Sequence, residues 1–161
     1  MASRLLACAA LATALAVPSL SLARCRPVHG FYTSNPLPPE ECPTAPLLCT
    51  AGELVGGLQG TYAFTMTGIV PADANPPGAG VTFYVGESVV TLKRGGTVLA
   101  ADHGTIDLRP GGTGRQAALL LLGGGTGRLE GGSGYLQLLG ALDPGAGTVE
   151  GEYTGEVCTP E

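Results

Sequence analysis

Residues Leu119 to Gly140 read LLLLGGGTGRLEGGSGYLQLLG, and the fold turns on whether this is a phosphate-cradling loop or a tight bend between two strands. A Walker-type loop needs a lysine and a Ser or Thr after its glycines and then a helix. Here no lysine follows, and Gly134 to Gly140 is short and strand-like. A dinucleotide fingerprint fails at Glu130, where its third glycine would stand. A nucleophile elbow fails at Tyr135, which replaces the closing glycine of G-x-S-x-G. The stretch therefore reads as a bend over Gly123–Gly134, in which glycine supplies positive φ and lets successive strands approach closely.

Outward from the bend, the period of the apolar residues is two. In Leu58 to Thr67, Leu58, Tyr62, Phe64 and Met66 share one face, and Gln59, Thr61, Thr65 and Thr67 share the other. Thr97 to Leu108 places Val98, Ala100, Ile106 and Leu108 together, and Thr148 to Val157 sets Val149, Tyr153 and Val157 opposite an acidic face. Successive strand side chains point to opposite sides, so these patterns describe an antiparallel sheet with one buried face. Val81 to Val85 and Val90 to Leu92 alternate with opposite parity, which predicts a bulge or bend at Gly86 to Ser88. A one-faced sheet of six to eight strands with no helix to cover it packs as a sandwich or closes on itself. Closure, which also removes exposed edges, is favoured.

The ends of the chain differ from this body. Residues 1–23 combine a basic head, an apolar run from Leu5 to Val17 and small residues at Ser21 and Ala23, the pattern of a signal peptide cleaved after Ala23. A secreted or periplasmic location follows, and no segment is long and apolar enough for a transmembrane helix. Residues 24–53 are rich in proline and cysteine without a sustained period. They read as an irregular arm before a barrel domain at 54–161. Beyond the signal, Cys25, Cys42, Cys49 and Cys158 make an even number in an exported chain, which implies two disulfides.

Composition narrows the partners. Seven basic residues against thirteen acidic ones remain after the signal, with no basic cluster beyond Lys93-Arg94 and no tryptophan, so nucleic acid is excluded as a partner. No C-x-x-C pair exists, and His29, four residues past Cys25, is too isolated to make a metal site. The sequence implies no metal and no cofactor.

The bend and the last strand also carry a resemblance. Gly124–Gly134, followed by a strand and then Gly147-Thr-Val-Glu-Gly151, is similar to a glycine-rich stretch of the allene oxide cyclase barrel-like superfamily, which includes dirigent proteins. Gly151–Cys158 resembles the closing strand of small exported bacterial proteins of unknown function. The resemblance, which runs from about Leu58 to Cys158, implies an eight-stranded antiparallel barrel. It brings no cyclase activity, because no motif matches the plant enzymes' catalytic residues.

The fold class expected is thus all-β: a small antiparallel barrel preceded by a disulfide-stapled arm. Four cysteines allow three pairings. Cys49 precedes the first clean strand and Cys158 follows the last, so a Cys49–Cys158 bond across the barrel seam is expected, with Cys25–Cys42 inside the arm.

On parity Asp102 points inward with Val98, Ala100 and Ile106 unless a turn at Asp102-His103-Gly104 exposes it. A buried carboxylate is costly without a partner, which makes Asp102 a candidate site residue. His103 falls on the opposite face and forms no dyad with it. Tyr62, Phe64, Asp102 and Tyr153 are the candidate ligand-binding residues of the barrel interior. Three functions stay open: a non-enzymatic binding barrel for a small apolar ligand, an isomerase or cyclase, and a filled structural or interaction barrel. The interior volume separates the last from the others, since a ligand site needs about 300 Å³ or more.

Overall fold

The computed structural model describes residues 23–43, 47–71, 80–107 and 114–160, so the signal peptide expected at residues 1–23 lies, but for Ala23, outside the described residues. Eight strands follow in chain order: β1 (Arg24–Pro36), β2 (Cys49–Gly56), β3 (Gly60–Pro71), β4 (Val81–Leu92), β5 (Thr97–Asp107), β6 (Gly114–Gly125), β7 (Ser133–Asp143) and β8 (Thr148–Thr159). Each pairs antiparallel with the next, and β8 pairs with β1 from Arg24↔Thr159 to Ser34↔Val149, closing the barrel. Every strand thus has two neighbours, and the closed sheet has no free edge.

Alternation puts Leu58, Tyr62, Phe64 and Met66, then Val98, Ala100 and Asp102, then Val149, Tyr153 and Val157 inside. Glu150 and Glu152 are exposed on the outer face of β8, and Glu156 is half-buried there. The bend also forms as the glycines require. Gly124, Gly127 and Gly131 take φ values of 77°, 60° and 66°, a region that side chains avoid. A short 3-10 turn at Gly127–Leu129 tucks Leu129 into the core. Thr126 ties the bend to β5, its N–H donating to the Thr97 carbonyl at 2.9 Å and its Oγ1 accepting from the Thr97 N–H at 3.1 Å.

Three details differ from the sequence reading. First, Arg24–Pro36 is not irregular: it is β1, and the stretch 24–53 supplies one whole strand and the start of another. Its period is hidden because the inward positions Val28, Gly30, Tyr32 and Ser34 include a glycine and a serine, while Phe31 faces outward. Gly30 lies beneath the Tyr153 ring, where a Cβ would collide with that ring and with the Val55 carbonyl.

Second, the disulfides pair Cys25 with Cys158 and Cys42 with Cys49, correcting the expected Cys49–Cys158 and Cys25–Cys42. With β1 in the barrel, the neighbour of β8 at the seam is Cys25, directly opposite Cys158 in the register. Cys42 is then left to staple the β1–β2 connection to the start of β2.

Third, β4 is regular through Gly86 to Ser88, and the register shift lies on its partner, between Met66 and Gly68 of β3. Tyr84, Gly86, Ser88 and Val90 face inward, and Phe83, Val85 and Val89 face out. Gly86 is where the Phe64 ring crosses the strand, leaving no room for a Cβ.

Candidate functional site

The two ends of the barrel are built differently. At one end the connections are short: 57–59, 93–96 and the glycine bend at 126–132. At the other, β1–β2, β3–β4 and β5–β6 are joined by 37–48, 72–80 and 108–113, beside the tight β7–β8 turn at 144–147. An interior cavity of about 50 Å³ reaches from mid-barrel toward this second, loop end, where Leu48 and Gly147 border it.

Six successive strands each give this cavity one polar side chain: Ser34 from β1, Thr50 from β2, Tyr62 from β3, Tyr84 from β4, Asp102 from β5 and Gln116 from β6. The remaining strands contribute Leu138, Leu142 and Val149, so the wall opposite is apolar. Phe64 and Tyr84 meet edge to face with centroids 5.4 Å apart, an arrangement that aromatic pairs prefer.

Most of these polar groups satisfy one another. The Tyr32 hydroxyl donates to Gln116 Oε1 at 3.1 Å, and Gln116 Nε2 donates to the Tyr84 hydroxyl at 2.7 Å. The Tyr62 hydroxyl is hydrogen-bonded with Ser34 and Thr50. Ser88 Oγ donates to Asp102 Oδ2 at 2.9 Å. Asp102 Oδ1 is buried and accepts no hydrogen bond from any described group.

Burial raises the Asp102 pKa to about 6, an effect partly offset by the Ser88 hydrogen bond and the neighbouring His103. The carboxylate thus remains mostly ionised at neutral pH, though it is only 5% exposed. Burial pushes the Tyr62 hydroxyl up to about 12 and raises Tyr32 and Tyr84 as well, so the phenols around the cavity stay protonated.

The structure brings together three of the four residues singled out by parity. Tyr62, Phe64 and Asp102 line the cavity. Tyr153 is fully buried but does not line it. Its hydroxyl accepts from the Leu58 N–H at 2.7 Å and donates to the Leu58 carbonyl at 2.9 Å, closing the barrel near the short-turn end. The turn that would have exposed Asp102 does not form, because β5 runs unbroken through Asp102-His103-Gly104. His103 is exposed on the outer face.

Sequence reasoning missed Ser34, Thr50, Tyr84, Ser88 and Gln116. Gln116 was accessible in principle, since it shares parity with the buried Ala118, Leu120 and Leu122 of β6.

No family model and no curated protein matches this chain. Among solved structures, the chain is similar to a pterocarpan synthase dirigent protein, at 14% sequence identity and a TM-score of 0.48, over 94% of this chain and 100% of that one.

Proposed function

We propose that this chain is an exported, non-enzymatic barrel that binds a small, largely apolar ligand in the loop-end cavity, with Tyr62, Phe64 and Asp102 among the contacting residues. The observation that carries this reading is Asp102 Oδ1, a buried carboxylate oxygen in the cavity wall without a protein partner. An unpaired buried acceptor costs about 1–3 kcal/mol, and more when charged, and a ligand donor would relieve that cost. The volume sets the ligand's size. About 50 Å³ falls short of the roughly 300 Å³ expected of a ligand site and so counts toward a filled barrel, but it is several times the 10–15 Å³ one water needs and leaves room for a very small ligand. The ligand is therefore a few heavy atoms, or the end of a longer molecule entering beside Leu48 and Gly147. Export rests on the pattern of residues 1–23 and on the two disulfides.

A second reading is favoured by one observation, the Asp102 pKa of about 6, which suits a general base in an isomerase or cyclase. Binding remains preferred, because among the described residues no histidine, lysine or arginine lines the cavity to move the proton onward. Native mass spectrometry of protein purified from its own host tests the proposal. A small molecule retained by the parent and lost from Asp102→Ala is the expected result. Parent protein carrying nothing, with a cavity that excludes every small probe, would leave a filled structural barrel.

A further inference from the structure

Resting on the reading of the loop-end cavity as a binding site, we infer that its occupant is a small protonated amine, paired with Asp102 Oδ1 and faced by the rings of Tyr62, Phe64 and Tyr84.

Charge comes first. Among the described residues lining the cavity there is one carboxylate and no lysine, arginine or histidine. A buried charge without a partner is expensive, and a neutral donor would supply the missing hydrogen bond but leave the charge uncompensated. An anion would be repelled. The remaining requirement is a cation that also donates hydrogen bonds, which an alkylammonium group supplies.

The neighbouring polar groups do not substitute for it. Gln116 is engaged with Tyr32 and Tyr84, Tyr62 with Ser34 and Thr50, and Ser88 with the other carboxylate oxygen. One charged acceptor remains open, which is too few for a hard metal ion that takes six or more oxygens. An organic cation needs fewer. Its carbon chain fits the apolar wall of Leu138, Leu142 and Val149, and aromatic faces attract an ammonium within about 6 Å of a ring centroid.

Size agrees with charge, since about 50 Å³ admits roughly three to five groups the size of a water. The pH dependence also follows. The titratable groups facing Asp102 are Tyr32 from β1, Tyr62 from β3 and Tyr84 from β4, with His103 beside it on its own strand but outside the barrel. The tyrosines stay neutral through the physiological range, so Asp102 alone controls the charge of the cavity. Amine affinity should fall about tenfold per pH unit below about 6.

The test compares n-propylammonium with n-propanol, two probes of the same chain length, by NMR titration of the full chain and of Asp102→Asn. Propylammonium should bind the parent about tenfold or more tightly than propanol, and Asp102→Asn should erase that preference. Equal binding of both probes to the parent would overturn the amine inference and leave the binding barrel standing. If neither probe perturbs the cavity residues, both readings fall. The comparison within the parent protein holds even if the variant does not fold.

Discussion

The two ends of this barrel solve opposite problems with the same eight strands. Toward the short-turn end, Leu58, Val98, Leu122, Leu129, Leu136 and Val157 fill the interior, and the Tyr153 hydroxyl satisfies the Leu58 backbone. The Cys25–Cys158 bond then fastens the seam. Toward the loop end the interior holds hydroxyls, an amide and a carboxylate around open space. A chain that tolerates a buried charge at one end must hold itself together at the other. The contrast therefore separates stability from binding along the barrel axis.

The largest expected effect tests the anchored end. The Cys25–Cys158 bond spans 133 residues of sequence and Cys42–Cys49 only 7. Loop-closure entropy gives about 5 kcal/mol for the first and about 2 kcal/mol for the second. Denaturant unfolding of the two double Cys→Ser variants should show that order, and equal losses would remove the distinction between seam and connection.

The next effect tests the charged end and has the opposite sign. Asp102 titrates at about 6 in the folded protein against 3.8 in an unperturbed chain. The folded state therefore binds the extra proton between about pH 4 and 6, and stability is greatest below that window and falls as the pH rises through it. The loss amounts to about 3 kcal/mol by pH 7. Asp102→Asn should abolish it, making the variant more stable than the parent at pH 7 and equal to it below pH 4. A parent that gains stability relative to the variant as the pH rises would show that the carboxylate has a partner at Oδ1.

The smallest effect returns to the filled end. Tyr153→Phe keeps the ring and removes both hydrogen bonds to Leu58, so it should cost about 2 kcal/mol in urea unfolding. It should leave probe binding in the cavity unchanged. A change in that binding would mean that the two ends are coupled.

The filled end was also the legible one. Leu58 to Met66 and Val149 to Val157 alternate cleanly because their inward positions are occupied by large apolar groups, and the bend at 123–134 could be read from its glycines. The site obscured its own surroundings. In β4 the inward residues are Tyr84, Gly86, Ser88 and Val90: glycine makes way for the Phe64 ring and serine binds Asp102, while Phe83, Val85 and Val89 point outward. Hydrophobicity there favours the wrong face. The same exchange of a glycine and a serine for bulk hid β1, and with β1 hidden the seam was assigned to Cys49. Asp102 was legible because its neighbours Val98 and Ala100 kept their parity, but its partner Ser88 sat in the strand whose pattern misled.

The pairing of β1 with β8 also fixes the order in which this chain can mature. Seven of the eight strand contacts join consecutive segments and can form as soon as both are made. The eighth joins Arg24 to Thr159, so the first strand must wait, held only by its short ladder to β2, until the final residues are available. Contacts this distant in sequence slow folding, because chain entropy must be surrendered before they reward it. Until then the sheet has two open edges and the interior two exposed mouths. Ring closure is consequently the committing step of assembly, and a chain truncated within its last strand would be left as an open, pairing-prone sheet.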